Sequence, residues 1–359
     1  MLAGKHLPNL DGLRTLAALL VFLQHCNHFP IYAGAPYFVV GWLQQLCFNQ
    51  AHLGVQFFFV LSGFLITRIV LAQRENGSFR LLHFWMRRIF RIWPVYFLVC
   101  LLGALLALSG WPNYAMPNNH WPLLLAFLEN YDLKQMLAAG QTQGYVVSVL
   151  WSVSIEEQFY LVYPLLLLLL PARFYRAFFL GILLLAGGYK VYVGPDSLDG
   201  QFQTLSACYE LGFGCLLATM PGSVLPRKWA GLAYLALLLT LLAPRQVILT
   251  AIIALVRPLL FCVILVDQAF CPESKLQTQK IPGLNWMGKL TYGFYSYHVI
   301  FVILVHGLLL QHHLEPRSFG PYMLYVLTAG LLAAGASYVS YRWMERPLLQ
   351  KVALLHREK

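Results

Sequence analysis

The feature that most constrains the fold of this 359-residue sequence is a succession of long apolar runs separated by short basic segments. An α-helix needs about 20 apolar residues to cross the hydrocarbon core of a bilayer. Only 11% of the residues are charged, whereas soluble domains carry about 25%. Because a helix satisfies its own backbone hydrogen bonds in lipid, we predict an all-α integral membrane protein.

Ten of these runs are candidates for membrane-spanning helices. They are centred near residues 10–28, 52–72, 92–109, 150–170, 172–192, 203–220, 229–243, 247–266, 291–310 and 322–343. The apolar stretch 121–129 is too short to cross and is predicted to be interfacial or re-entrant. The stretches between spans are too short to fold by themselves. We therefore expect residues 1–359 to form a single transmembrane domain with no soluble domain appended.

The distribution of Lys and Arg predicts the orientation of this bundle. With the N-terminus in the cytoplasm, 20 of the 25 basic side chains fall in cytoplasmic segments and four in outer segments, while Arg257 lies inside a span. This bias follows the positive-inside rule and predicts that both termini are cytoplasmic. Anionic lipid headgroups account for the net charge of +11, so membrane lipids are expected as partners and nucleic acid is not.

The first apolar run carries two ionisable residues, Arg14 and His25. At about 100° per residue, a separation of eleven residues returns to nearly the same helix face. Ionisable groups inside a membrane are costly and usually functional. A neutral imidazole can take a proton from an alcohol, although a histidine that only hydrogen-bonds within the bundle is the structural alternative. Asp11 lies three residues before Arg14, at the spacing of a salt bridge.

Two further segments admit both a structural and a functional interpretation. Ser62 and Gly63 interrupt the second span, where small residues favour close helix packing or leave room for a thin ligand. Arg87, Arg88 and Arg91 lie in a basic, aromatic segment. Such a segment is typical of a helix on the inner leaflet, and equally of a site that grips the phosphates of a cytosolic donor.

Two carboxylates, Glu156 and Glu157, open the fourth span. The structural interpretation is that they stabilise the positive end of the helix dipole. The functional interpretation is that one of them holds the second nitrogen of His25 and fixes its tautomer, as in hydrolase triads. Five further side chains with polar atoms lie in or beside the fourth and ninth predicted spans and are candidates for a site: Trp151, Ser152, Tyr160, Tyr295 and His298.

Six ordered segments of the sequence resemble the acyltransferase-3 family of integral membrane acyltransferases. They are LDGLRTLAALLVFLQH, GVQFFFVLSGF, RRIFRIWPVYF, WSVSIEEQFY, LTYGFYSYH and ERP, and they lie between residues 10 and 347. The resemblance implies about ten helices with cytoplasmic ends. It also implies transfer of an acyl group, usually acetyl, from cytosolic acyl-CoA to a saccharide or lipid-linked glycan. Some relatives carry a further hydrolase-like domain, so this chain is expected to act alone or with a separate partner.

The resemblance implies roles for the residues that match the family's motifs. Arg14, His25 and Glu157 are predicted to be catalytic, and Glu157 is preferred over Glu156 because the family block favours it. Predicted contacts to the acetyl-CoA donor come from Ser62, Gly63, Arg87, Arg88 and Arg91. Predicted contacts to the acceptor come from Trp151, Ser152, Tyr160, Tyr295 and His298. No metal ion is expected.

We therefore predict a multi-pass O-acyltransferase of the bacterial inner membrane that acetylates a cell-surface saccharide, such as lipopolysaccharide or another polysaccharide. The donor nucleotide is expected to dock on the Arg cluster while its pantetheine arm reaches toward His25. His25 takes the proton of the acceptor hydroxyl, and an acetyl-histidine intermediate is the alternative route. Arg14 binds donor phosphate or holds the acyl carbonyl. The alternative function is a transporter or flippase of a lipid or glycan, whose inverted repeats are not evident in the sequence.

Overall fold

The computed structural model describes residues 7–32, 51–110, 121–140, 147–220, 229–243, 247–271, 274, 276–314 and 316–357. Within these ranges the chain is helical and contains no β-strand, which confirms the predicted all-α class. In chain order the α-helices are α1 (Pro8–Tyr32), α2 (Ala51–Glu75), α3 (Leu81–Leu108), α4 (Trp121–Leu125), α5 (Glu129–Ala138), α6 (Leu150–Leu169), α7 (Tyr175–Val193), α8 (Leu198–Phe202), α9 (Thr204–Ala218), α10 (Ala230–Leu242), α11 (Val247–Phe270), α12 (Leu284–Gln311), α13 (Phe319–Ser340) and α14 (Arg346–Arg357). A π-helical segment, Tyr341–Glu345, joins α13 to α14.

Each of the ten predicted spans coincides with a helix. Seven helical segments of the described chain are long and apolar enough to cross a membrane: His52–Glu75, Leu81–Leu108, Leu150–Leu169, Ala172–Val193, Ile248–Phe270, Leu284–Gln311 and Phe319–Val352. Helices α9 and α10 are apolar but shorter. The protein therefore has the helices of a multi-pass membrane protein, while the count of ten spans and the cytoplasmic termini remain predictions.

Two helices begin earlier than the spans predicted for them. Helix α3 starts at Leu81, whereas the predicted span starts near residue 92. Helix α12 starts at Leu284, whereas the predicted span starts near residue 291. The prediction followed apolar residues alone. A helix continues through the preceding basic and polar residues, because bilayer thickness limits the apolar stretch but not the length of the helix.

The helices are grouped in two compact units. The first unit comprises Met1–Ala17, His52–Leu81 and Ile155–Gly288, and the second comprises Ala18–Ala51, Leu82–Ser154 and Lys289–Lys359. Each unit combines segments that are far apart in the sequence. Packing between helices, rather than the order of the chain, therefore brings the polar side chains of each unit together.

In the first unit, two glycines bring α2 and α9 into backbone contact. A Cβ atom on Gly63 would lie 2.1 Å from the carbonyl oxygen of Leu211, and one on Gly214 would lie 2.0 Å from that of Val60. These separations are far below van der Waals contact, so only glycine fits at either position. The packing interpretation of Gly63 is confirmed, and its contact with the donor remains a prediction.

In the second unit, α1 and α12 run parallel. The ring of Phe22 packs edge-on against Phe294 with centroids 5.4 Å apart, and one turn further along both helices the ring of His25 lies 5.0 Å from that of His298. Helix α13 also packs against the Phe22 ring, because a Cβ on Gly330 would lie 3.2 Å from it. This pairing sets the two histidines side by side.

The apolar stretch 121–129 forms a short helix followed by a turn. Helix α4 ends before Phe127, which adopts a positive φ of 56°. The ring of Phe127 packs against that of Tyr96 on α3 with centroids 4.3 Å apart, and the Tyr96 hydroxyl donates a hydrogen bond to the carbonyl of Leu124 at 2.8 Å. These contacts fix the turn against α3, and its interfacial or re-entrant position remains a prediction.

Candidate active site

The guanidinium of Arg14 is held near the beginning of α1, in the first unit. Its Nη1 donates a hydrogen bond to Oδ1 of Asp11 at 2.9 Å, which confirms the ion pair predicted from their spacing. Asp11 is buried and Arg14 is partly exposed. Asp11 is itself fixed by α12, because a Cβ on Gly288 would lie 2.4 Å from the Asp11 Cβ. The carboxylate therefore orients the guanidinium while part of it stays accessible to a ligand.

Gly12 and Thr15, on either side of Arg14, allow the start of α1 to pack closely against neighbouring segments. The Thr15 hydroxyl donates a hydrogen bond to the carbonyl of Leu284, the first residue of α12, at 2.9 Å. A Cβ on Gly12 would lie 2.5 Å from the Thr278 side chain, so the backbone of α1 approaches the 278–280 turn closely. These contacts anchor the start of α1 and thereby position Arg14.

His25 and His298 face each other in the second unit. Nδ1 of His25 lies 3.0 Å from Nε2 of His298. His298 is fully buried, at 0% exposure, whereas His25 is partly exposed. The ring of Phe294 stacks on His298 with centroids 6.2 Å apart, and Phe22 packs edge-on at 6.1 Å. Of the two imidazoles, His25 is the one that a substrate can reach.

The next residues of α12 extend this arrangement to α6. Nδ1 of His298 lies 2.6 Å from the carbonyl oxygen of Tyr295, and the Tyr295 hydroxyl lies 2.6 Å from Oγ of Ser152. Ser152 Oγ also donates a long hydrogen bond to the carbonyl of Val149 at 3.4 Å. We call His25, His298, Tyr295 and Ser152 the histidine cluster. Trp151, the residue before Ser152, is buried at 9% exposure.

Three other residues singled out in the sequence meet in the first unit, between α2 and α6. The Ser62 hydroxyl donates a hydrogen bond to Oε1 of Glu156, and the Tyr160 hydroxyl donates to Ser62 Oγ at 3.1 Å. One turn further, the hydroxyls of Thr67 and Tyr163 lie 2.5 Å apart. Glu156 therefore takes part in a hydrogen-bonded contact between two helices.

Glu157 lies beside Glu156 on α6 and is partly buried. It belongs to the first unit and His25 to the second, so the predicted contact between them remains a prediction. The same is true of the expectation that Arg14 and His25 act together. The structure does show that both residues lie on one continuous helix, α1, as their spacing required.

The basic residues of α3 lie in its first three turns. Arg87 is exposed, while Arg88 is partly buried with its guanidinium 5.7 Å from the centre of the Phe84 ring. Arg91 is partly buried and interacts electrostatically with Glu345, which is buried at 4% exposure. Arg87 and Arg88 are thus the residues of this cluster that are most available to a phosphate, and their binding of the donor remains a prediction.

Sequence reasoning missed a buried ion pair in the first unit. Lys190 on α7 donates to Oε1 of Glu210 on α9, both side chains are buried, and Gln56 on α2 donates to the same oxygen at 3.4 Å. The sequence assigned Lys190 only to the charge balance of the outer segments. A lysine and a glutamate inside neighbouring apolar helices were the available signal. Among the described residues no group of three or more metal-ligating side chains is present.

Comparison with known proteins adds a second line of evidence. The model of a family described as an acyltransferase domain, Acyl_transf_3, matches residues 7–342. The chain is 26% identical over 383 residues to the peptidoglycan O-acetyltransferase OatA of Listeria monocytogenes, covering 96% of this chain and 56% of that protein. It is 26% identical over 384 residues to the O-acetyltransferase OatA of Staphylococcus aureus, covering 98% and 58%. The chain thus spans a little over half the length of these relatives, and no solved structure matches it.

Proposed function

This chain belongs to the acyltransferase-3 family, and from that premise we propose that it is a membrane O-acyltransferase that moves an acetyl group from acetyl-CoA to a hydroxyl of a cell-surface saccharide or lipid-linked glycan. The observation that carries the proposal is the family match over residues 7–342. The partly exposed imidazole of His25, inside that match, supplies the base that such a transfer needs. The proposed setting is the bacterial inner membrane, with ten spans and both termini in the cytoplasm.

The proposed reaction uses His25 as a general base. Its imidazole takes the proton of the acceptor hydroxyl, and the oxygen attacks the carbonyl carbon of the thioester. The carbon–sulfur bond breaks, and the leaving coenzyme A thiolate takes the proton back from the imidazolium. Arg14, held by Asp11 at 2.9 Å, is proposed to bind donor phosphate or the acyl carbonyl. The alternative route passes through an acetyl-histidine.

Donor and acceptor are proposed to be recognised by different residues. Arg87, Arg88 and Arg91 bind the phosphates of the donor, because arginine forms paired hydrogen bonds with phosphate, and Ser62 and Gly63 remain candidates for contacts with its arm. The proposed acceptor contacts are Trp151, Ser152, Tyr160 and Tyr295, whereas His298, expected among them from the sequence, is fully buried. Glu157 is proposed as a third catalytic residue, and Glu157→Gln is expected to lower turnover more than donor affinity.

The acceptor proposed first is peptidoglycan, because the Listeria relative is named for it. Lipopolysaccharide and other lipid-linked glycans are the remaining candidates. Mass spectrometry of each glycan, from cells with and without the gene, is expected to find acetyl groups on one of them only when the gene is present. Transport of an unmodified glycan without any acetylation would instead favour a flippase.

The direct test uses purified protein in lipid nanodiscs with radiolabelled acetyl-CoA and isolated glycan. Wild-type protein is expected to label the glycan, and His25→Gln is expected to abolish labelling while the protein still elutes as a folded species. His28→Gln is the matched control, because His28 lies on the same helix and contacts Gln24 at 3.4 Å. Full labelling by folded His25→Gln would disprove the catalytic assignment.

A further inference from the structure

We propose that His298 is a positioning residue that holds His25 in the tautomer with its lone pair on Nε2. This inference rests on the proposed function, because it assigns a supporting group to the proposed catalytic base. It gives His298 a role different from the acceptor contact expected from the sequence. The physical basis is a chain of hydrogen bonds that runs from a backbone carbonyl through two imidazoles.

The first step fixes the proton of His298. Its Nδ1 lies 2.6 Å from the carbonyl oxygen of Tyr295 and 3.3 Å from that of Phe294. A carbonyl oxygen can only accept a hydrogen bond, so Nδ1 must carry the proton. His298 is fully buried among aromatic rings, where a charged imidazolium would be costly. The neutral ring therefore carries its lone pair on Nε2.

The second step passes this constraint to His25. Nε2 of His298 can now act only as an acceptor, and Nδ1 of His25 lies 3.0 Å away. Nδ1 of His25 must then be the donor and carry the proton. A neutral imidazole has one N–H and one acceptor nitrogen, so the lone pair of His25 lies on Nε2.

The third step concerns access to substrate. His25 is partly exposed, whereas both ring nitrogens of His298 are used inside the protein. Of the two imidazoles, that of His25 is therefore the one that exchanges a proton with the acceptor hydroxyl. When its Nε2 takes that proton, Nδ1 keeps its hydrogen bond to His298, and this acceptor stabilises the positive charge. The proton then passes from Nε2 of His25 to the coenzyme A thiolate. His298 therefore neither gains nor loses a proton during the reaction.

The surrounding aromatic rings hold the imidazole of His298 in position beside His25. Phe294 stacks on one face of His298 with an interplanar angle of 19°, and Phe22 meets it edge-on at 84°. Phe22 and Phe294 also contact each other. The His298 ring is thus held on several sides and cannot turn away from Tyr295 without repacking them. A residue that served packing alone would not need both nitrogens in hydrogen bonds of 2.6 and 3.0 Å.

The first experiment reads the tautomers directly. Wild-type protein with ¹⁵N-labelled histidine rings is studied by solid-state NMR in nanodiscs, and the His25 and His298 signals are assigned from their loss in single variants. We expect the proton on Nδ1 of both rings. A proton on Nε2 of His25 in the wild-type protein would overturn the proposal. This measurement needs no turnover, so it judges the pairing even if the protein fails to transfer acetyl groups and the proposed function is wrong.

The second experiment compares variants by kcat and KM. His298→Leu removes the acceptor for His25 and is expected to lower kcat by about 10²-fold with little change in the acetyl-CoA KM. His298→Gln offers an amide oxygen near the position of Nε2 and is expected to recover about tenfold of that loss. If His298→Leu does not fold, the kcat of His298→Gln and the wild-type NMR spectrum test the proposal instead. Unchanged kcat in folded His298→Leu would overturn the proposal.

Two controls separate positioning from general disruption. His306→Leu removes another fully buried histidine of α12, and it is expected to leave the His25 tautomer and most of kcat intact. Tyr295→Phe keeps the backbone carbonyl that binds His298 but loses the hydroxyl contact to Ser152. It is expected to leave the His25 tautomer as in the wild-type protein. A change of tautomer in His306→Leu as large as that in His298→Leu would contradict the proposed pathway.

Discussion

Lys190 and Glu210 are opposite charges buried in apolar helices, and each is costly there without the other. Their ion pair is joined by Gln56, so side chains from α7, α9 and α2 meet at one polar point. Breaking a buried pair leaves one charge without compensation, whereas replacing both partners with apolar groups removes the desolvation cost together with the attraction. The single substitution is therefore expected to destabilise the protein much more than the double substitution.

We expect Lys190→Met to lower the free energy of unfolding by about 3–5 kcal/mol, because Glu210 would stay buried as an unpaired carboxylate. The double variant Lys190→Met/Glu210→Met should recover most of that loss. Thermal unfolding in detergent measures both, and Lys351→Met, at an exposed position on α14, is the control. A double variant as unstable as the single one would show that packing, rather than charge, dominates at this site.

At the scale of helices, α2 and α9 depend on glycine where their backbones touch. We expect Gly63→Ala and Gly214→Ala each to destabilise the protein by more than about 2 kcal/mol, because the added Cβ would overlap a carbonyl oxygen of the facing helix. Gly188→Ala on α7 is the matched control, since nothing lies within 4 Å of a Cβ there. Alanine is the better helix former, so this control should be neutral or slightly stabilising.

The measurement for these glycines is the melting temperature in one detergent, followed by donor affinity of the folded fraction. If Gly63→Ala folds with unchanged stability but loses donor binding, the packing interpretation alone is insufficient and Gly63 contacts the ligand. If it loses stability and the remaining folded protein binds normally, the role of Gly63 is confined to packing.

The basic start of α3 is the second element with a testable role. Arg87→Gln and Arg88→Gln are each expected to raise the acetyl-CoA KM by about tenfold, the value of one charge-assisted hydrogen bond, with little change in the acceptor KM. The exposed position of Arg87 predicts that the wild-type affinity falls as salt rises. Arg173→Gln is the control, since Arg173 packs on Phe174 outside this cluster. Equal effects of all three variants would indicate a general role of positive charge at the membrane surface.

For the whole molecule, the charge bias predicts where each connection lies. A cytoplasmic reporter inserted at Gly77, in the turn between α2 and α3, is expected to be active, and a periplasmic reporter inserted there is expected to be inactive. The opposite result is expected at Gly194, between α7 and α8. Both glycines have positive φ in tight turns, so insertion disturbs no helix interior. Activity of the same reporter at both positions would contradict the ten-span topology.

Much of the helical architecture could be predicted from the sequence. The apolar runs of the sequence located the helices that coincide with the ten predicted spans. The ion pair of Asp11 with Arg14 was equally predictable, because a separation of three residues on a helix fixes the neighbours. Helix starts were less accurate, since hydropathy measures the apolar stretch and not the polar turns that extend it. These features depend on neighbours within a few residues along the chain.

The contacts that build the candidate site depend on tertiary packing. His25 and His298 are 273 residues apart, and no local pattern states which helix faces which. The structure places the imidazole of His298 at Nδ1 of His25, and the carboxylate partner expected from the sequence stays a prediction. Ser62 with Glu156, and Lys190 with Glu210, likewise meet only because particular helices pack together. The order of residues decides which polar groups lie within the apolar helices, because each apolar run carries its own polar side chains. Only the packing of those helices decided their partners, because hydrogen bonds are short and depend on the rotation and depth of each helix.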